Sequence, residues 1–376
     1  MNEPTHIKPD QSIILGNHVA CDGKASKEDG QSFLVVSHYH GDHYKHPKIN
    51  DTFTDKIPLI VSQGTWNILE RLARVNIRNN ADVMAQKFNE EKEYVTLNGK
   101  KIKITLKDSK HMLGASQIQV EEENGHRYGY SGDFNSDLDE FIDVDTLVLD
   151  ATNGTRPDID NWTKDNAIKK LKEGVIEAYN NNKNVAIVGS AGLLQTSMHY
   201  LYDFLNEVDS LLTYEYDKDS RKSEVKILTE IYGENNYDLP SNLKSYHEEI
   251  QNNPNFRFEI QEKKKLIVGH DLKHISDGGI NSTPEKFDGI IFHIKNFCRT
   301  NESPIFQHSK NKNMNTVSLS SHAIGDEILE YVRNVNPKLV ITDSSRKEKS
   351  SVHLAEKITK ELKIKAIPSS EINNIN

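Results

Sequence analysis

Residues 38–43 read His-Tyr-His-Gly-Asp-His, directly after the apolar run Phe33-Leu34-Val35-Val36. Three imidazoles and a carboxylate within six positions answer no ordinary demand of a core or a surface. A strand ending in such a segment sets alternate side chains on one face. His38 and His40 can then share one ion, while Asp42 and His43 point toward a neighbouring position. Imidazole nitrogen with one carboxylate suits zinc and also accommodates manganese or iron. The chain is therefore expected to bind one or two divalent ions and to carry out metal-assisted hydrolysis.

At 376 residues the chain has room for one large domain or two ordinary ones, and 35% hydrophobic with 27% charged residues is a soluble globular profile. No window approaches the roughly 18 apolar residues of a membrane span. The first residues lack a basic stretch followed by an apolar one, which predicts no secretory signal and no membrane partner. Cys21 and Cys298 stand far apart in no ligand spacing and read as reduced thiols, so a cytoplasmic location is expected. A net charge of −9 argues against wholesale wrapping of nucleic acid but leaves room for a local basic groove.

Up to about residue 150, short apolar runs alternate with turn signals. Strands are predicted at Ile13–Leu15, Phe33–Val36, Leu59–Val61, Tyr94–Leu97, Ile102–Leu106, Gln117–Val120, Arg127–Tyr130 and Thr146–Leu149. A helix at Trp66–Arg74 has Thr65 as its expected cap. Beyond Asn153 the pattern becomes α/β. Helices are expected at Asp165–Tyr179 and Leu193–Leu205, and strands at Val185–Val188, Val225–Leu228, Leu266–Val268, Ile290–Phe292 and Thr316–Leu319. The tail reads as helix Gly325–Val332, strand Leu339–Thr342, helix Val352–Leu362 and a short strand at Ala366–Ile367. Asp217–Glu224 and Thr300–Asn315 read as surface loops.

Two later loops offer more ligands. His111 opens His-Met-Leu-Gly-Ala-Ser after a strand, and Asp133 follows the next strand in Tyr-Ser-Gly-Asp-Phe. The series His38, His40, Asp42, His43, His111 and Asp133 resembles the metallo-β-lactamase fold, an α/β protein layered as an αββα sandwich. The resemblance implies that His38, His40 and His111 hold one ion, that Asp42 and His43 hold a second, and that Asp133 bridges both.

The rest of the chain resembles the β-CASP nucleases. Asp150 ends the strand Thr146–Leu149, and His322 stands in Ser-Leu-Ser-Ser-His, before a helix. That pattern implies a metallo-β-lactamase domain of residues 1–155 and 323–376, interrupted by a β-CASP-like domain of 156–322. It implies catalytic roles for Asp42, Asp150 and His322, with Asp150 orienting a ligand histidine and His322 contacting the scissile phosphate or protonating the leaving oxygen. The implied partner is DNA or RNA, cut as a 5′-exonuclease or endonuclease in DNA repair or RNA processing.

Thr342-Asp343 stands where many RNA-processing members carry a histidine, and this resembles the DNA-repair branch. Gly114-Ala-Ser116 after His111 is more similar to the RNA branch. Leu193, in the turn Gly189–Gln195, stands where an arginine is usual. Arg346, Lys347, Lys349 and Lys263–Lys265 are candidates to track phosphates. Alternatives of the same fold are a small-molecule hydrolase, such as a thioesterase or lactonase, or an inactive scaffold of a processing complex.

Overall fold

The computed structural model describes residues 5–44, 56–72, 82–155, 163–213, 223–253, 255–256, 263–270, 287–295, 305–307, 312–345 and 347–373. The chain divides into two compact units, Met1–Asp158 with Ser321–Asn376, and Ile159–Ser320.

The first unit begins with a sheet in chain order: β1 (His6–Ile7), β2 (Ile13–Leu15), β3 (Val19–Cys21), β4 (Phe33–Val36), β5 (Leu59–Ser62) and β6 (Val83–Gln86). The first three strands pair antiparallel, and β3 to β6 run parallel. Helix α1 (Gly41–Tyr44) follows β4, and α2 (Gln63–Leu72) follows β5 and packs on it with Ile68 and Leu69 buried. Thr65, expected as a cap, lies inside α2, where its hydroxyl donates to the Gly114 carbonyl at 2.8 Å. The hydroxyl of Ser62 does the capping instead, accepting from the Thr65 amide at 3.0 Å. Residues 73 and 74 of the expected helix lie outside the described residues.

A second sheet starts with β7 (Lys92–Val95), β8 (Lys101–Asp108), β9 (Ser116–Glu122), β10 (Arg127–Tyr130) and β11 (Thr146–Leu149). The expected strand Tyr94–Leu97 begins and ends two residues earlier. A turn that begins at Thr96 takes its last two positions, with the Gly99 amide donating to the Thr96 carbonyl.

The second unit alternates helices and strands. These are α3 (Lys164–Asn180), β12 (Asn184–Val188), α4 (Leu193–Tyr200), α5 (Tyr202–Glu207), β13 (Leu211–Thr213), α6 (Glu224–Glu234), β14 (Lys244–Ser245), α7 (Tyr246–Asn252), β15 (Leu266–Gly269), β16 (Gly289–Lys295), β17 (Ile305–Gln307) and β18 (Met314–Ser318). Its sheet has the order β14-β13-β15-β12-β16-β18-β17, parallel throughout except for β17.

Three expectations change here. Val225–Leu228 is not a strand but the start of α6, capped by Ser223 and burying Val225, Leu228, Thr229, Ile231 and Tyr232 at helical spacing. The single helix expected over Leu193–Leu205 is two, α4 and α5, meeting at Leu201. Within Thr300–Asn315, β17 and the start of β18 form a strand pair. Of the other expected loop, Asp217–Glu224, residues 217–222 lie outside the described residues and Glu224 opens α6.

The chain re-enters the first unit with α8 (Gly325–Val335), β19 (Leu339–Thr342), α9 (Glu348–Leu362), β20 (Lys365–Pro368) and α10 (Ser369–Asn373). The second sheet is thereby completed as β20-β19-β11-β10-β9-β8-β7. Strand periodicity explains the layering. Val148, Leu339 and Ile341 join Val19, Phe33, Val35 and Ile60 in a core shared by the two sheets. Their neighbours Leu147, Leu149 and Val340 face the other way, against Ile328, Leu329 and Val332 of α8 and Leu354 and Ile358 of α9. The result is the αββα sandwich of the metallo-β-lactamase fold. Among the described residues no helix is long and apolar enough to cross a membrane.

Candidate metal centre

The first unit gathers its chemistry just beyond the ends of its strands. His38 follows β4, His111 lies between β8 and β9, Asp133 follows β10 and Asp150 follows β11, while His322 stands where the chain re-enters. The turn that delivers Asp133 needs glycine. Gly132 has φ +58°, and a Cβ there would lie 2.4 Å from the Ser116 carbonyl oxygen.

Oδ2 of Asp133 lies at the middle of the cluster. It is 3.4 Å from Nε2 of His43, 3.7 Å from Nε2 of His38, 3.8 Å from Nε2 of His111 and 3.7 Å from Nε2 of His322. His40 approaches with Nδ1, 3.0 Å from Nε2 of His111. Two sets of side chains could each hold an ion, with ligand atoms all within 4.8 Å of one another: His38, His40, His111 and Asp133, and then Asp133, Asp150 and His322.

The hydrogen bonds behind these rings fix which nitrogen is bare. The Ser37 hydroxyl gives its one proton to Oδ2 of Asp22 at 2.6 Å, so toward Nδ1 of His38, 2.9 Å away, it can only accept. Nδ1 of His43 donates to Oδ2 of Asp22 at 2.6 Å, and Nδ1 of His111 donates to the Ser321 carbonyl at 2.9 Å. Nδ1 of His322 faces Oδ2 of Asp150 at 3.4 Å. In the neutral rings each Nε2 is thus left as a lone pair aimed at the cluster, the tautomer a metal requires.

The residues fit a divalent ion. Ligands about 2.0–2.1 Å from a tetrahedral centre stand roughly 3.3 Å apart, close to the spacings here. Nε2 of His38 is enclosed and has no hydrogen-bond partner, an arrangement that costs free energy unless a cation meets it. Burial, reinforced by His43, His111 and His40, holds the His38 imidazole well below its usual pKa despite Asp133. Burial, with His322 and His40, does the same at His111. At His43 burial also opposes charge, but the Asp133 and Asp22 carboxylates outweigh it and raise the pKa to about 10 in the absence of an ion.

Asp150 uses its other oxygen, Oδ1, to accept from the amide and hydroxyl of Thr152 at 2.8 and 2.6 Å. His43 and Asp42, read from the sequence as a second pair of ligands, lie in neither set. The Asp42 side chain is 62% exposed, with Oδ2 3.9 Å from Nε2 of His43. Asp343 also lies outside both sets, and its Oδ1 accepts the Ser345 amide at 2.7 Å. In the second unit, the turn Gly189–Gln195 is closed by its own residues, with the Gly192 amide donating to Oε1 of Gln195 at 2.9 Å. Arg346 lies outside the described residues.

Asp22 was not anticipated. It is buried, follows the three-residue β3, and holds the Ser37 amide at 2.7 Å besides Ser37 Oγ and His43. The only local trace is Cys-Asp-Gly after an apolar run, a common turn composition.

Residues 17–178, under half of the chain, match the family model described as a beta-lactamase superfamily domain. No curated protein matches the chain. Among solved structures, the one described as "Structure of chloroplast FtsY from Physcomitrella patens" is similar at 10% identity with a TM-score of 0.17. That match covers 53% of this chain and 66% of the other, just under two thirds of its length.

Proposed function

We propose that this chain, built on a metallo-β-lactamase superfamily domain, is a metal-dependent nuclease that hydrolyses phosphodiester bonds, with DNA slightly favoured over RNA. The observation that carries the reading is the pairing of Asp150 with His322 at 3.4 Å across 172 positions of sequence. A second folded unit, Ile159–Ser320, is inserted between these two site residues. Hydrolases of small molecules rarely need such an insertion. The resemblance of the Asp150 and His322 segments to β-CASP nucleases supports the same substrate class.

His38, His40, His111 and Asp133 would hold one ion, and Asp133, Asp150 and His322 offer a place for another. When bound, a divalent ion supplies a Lewis acid that acidifies water and offsets charge on phosphoryl oxygens. The remaining work falls to the chain. Ser37 and the Ser321 carbonyl keep the proton of His38 and His111 on the outward nitrogen, so their inward nitrogens stay unprotonated, while Asp22 holds Nδ1 of His43. Asp150 holds Nδ1–H of His322, so that Nε2 faces the cluster. In the imidazolium form of His322, Nε2–H would give its proton to the departing oxygen and return the ring to the neutral Nδ1–H tautomer, to be reprotonated from solvent. Imidazole suits that transfer near neutral pH.

The test is incubation of the purified protein, loaded with Zn²⁺ or Mn²⁺, with end-labelled single-stranded DNA and RNA. A product ladder that disappears on chelation is expected. Undiminished cutting with chelator present, or thioester or lactone hydrolysis faster than any nucleic-acid cleavage, would overturn the proposal.

A further inference from the structure

The two loops that deliver His111 and Asp133 follow strands that do not touch. In the second sheet β9 lies between β8 and β10, and both pair with it antiparallel. Their C-terminal ends therefore open on the same edge, beside the start of β9, two strand spacings or about 10 Å apart. No ladder bond can hold them in register there. Yet Nε2 of His111 and Oδ2 of Asp133 stand 3.8 Å apart. Something other than sheet pairing sets that distance.

Ser109, the first residue after β8, links the two loops with its polar groups. Its hydroxyl donates to the main-chain carbonyl of Asp133 at 2.7 Å. Its own carbonyl accepts the Asn135 amide at 2.9 Å, so the Asp133 turn is gripped on both sides of Phe134. Its amide donates to the Ala115 carbonyl at 2.9 Å, which closes the base of the loop around His111. Ser109 is fully buried, so water does not compete for these bonds. The loop does not hold its path unaided. Lys110, between Ser109 and His111, has φ +54°, a left-handed conformation that a non-glycine residue keeps only where its surroundings over-determine it.

We infer that Ser109 is a positioning residue for the metal centre: its hydroxyl sets the spacing of the His111 imidazole and the Asp133 carboxylate that would share an ion. Without that hydroxyl the Asp133 turn loses one of its two hydrogen bonds to Ser109, and the carboxylate can swing away from Nε2 of His111. Loss of an outer partner of this kind costs a metal site about 10- to 100-fold in affinity. The role depends on the metal-binding part of the proposed function and not on which substrate is cut.

Ser109→Ala in the full chain keeps both main-chain bonds of residue 109 and should fold. Zinc affinity is measured by competition with a chromophoric chelator, well below the melting temperature of each metal-free protein. The absorption bands of the cobalt-substituted form report the geometry of the ligands. Thr96→Val serves as the control. Its hydroxyl is also buried and donates to the Lys100 carbonyl at 3.0 Å, but it lies at the other end of β8. Ser109→Ala should weaken zinc binding about tenfold or more and shift the cobalt bands, while Thr96→Val leaves both as they are in the unaltered chain. Unchanged affinity or unmoved bands in Ser109→Ala, or an equal loss in Thr96→Val, would overturn this role and leave the metal centre standing. An unaltered chain that takes up no zinc would overturn the metal centre together with it.

Discussion

The carboxylate of Asp22 stands 2.6 Å from Nδ1 of His43, and both groups are buried. The same carboxylate takes the proton of Ser37, whose oxygen faces His38. One side chain, more than a dozen positions before the histidine segment, thus sets the tautomer of two of its imidazoles. Asp22→Asn keeps the shape but can place an N–H against Nδ1–H. Zinc affinity, measured by competition with a chelator, should fall about 10- to 100-fold, the usual cost of losing such an outer partner. Unchanged affinity would mean that the pair only braces the fold.

His322 is the residue whose role separates two chemistries. If it moves a proton, His322→Ala should lower turnover by about 10²- to 10⁴-fold while most of the bound metal is retained. Measuring kcat alongside metal content per chain distinguishes the cases. Parallel loss of both would make His322 a ligand of the set it forms with Asp133 and Asp150.

At Gly132 the backbone has φ +58°, and an added Cβ would strike the Ser116 carbonyl. Gly132→Ala should destabilise the protein by more than about 1 kcal/mol. Because the next residue is Asp133, it should also reduce metal content at temperatures where the chain is still folded. Circular dichroism with metal analysis on the same sample checks this. Full metal loading would show that the turn absorbs the strain without moving the carboxylate.

Asp145 supplies a stability term far from the chemistry. A hydrogen bond from Lys338, at 2.8 Å, and one from the Arg127 amide hold its carboxyl below the usual aspartate range. A depressed folded pKa gives stability that is fully present above the unfolded value, about 3.9, and is lost as pH falls through the folded one. Asp145→Asn should therefore cost less than about 1 kcal/mol at pH 7, since the pair is partly solvent-screened. The two proteins should converge in denaturation midpoint as the pH drops below about 4. A constant difference across that range would assign the effect to packing.

The imidazole cluster was legible because its residues are dense in sequence and follow a run too apolar to be anything but buried. His111 and Asp133 were legible through strand context, each lying just after one. Val225–Leu228 misled because four apolar-rich residues suit a strand or a helix equally. Only the continuation through Ile231 and Tyr232, with Ser223 as cap, decides for the helix. Asp22 was invisible for a different reason. Its partner His43 is 21 positions away, and nothing in Cys-Asp-Gly announces a contact across two parallel strands. The grouping of Asp150 and His322 with Asp133 depends on β11 and β19 lying side by side in the second sheet, which single-sequence periodicity does not encode.

That Asp150 meets His322 only across 172 positions also sets an order of events during synthesis. A nascent polypeptide halted between residues 133 and 322 already carries His38, His40, His111 and Asp133, the set that would hold one ion, yet it lacks the imidazole that completes the second set. The full set of site residues is therefore assembled only after residue 322 has been made.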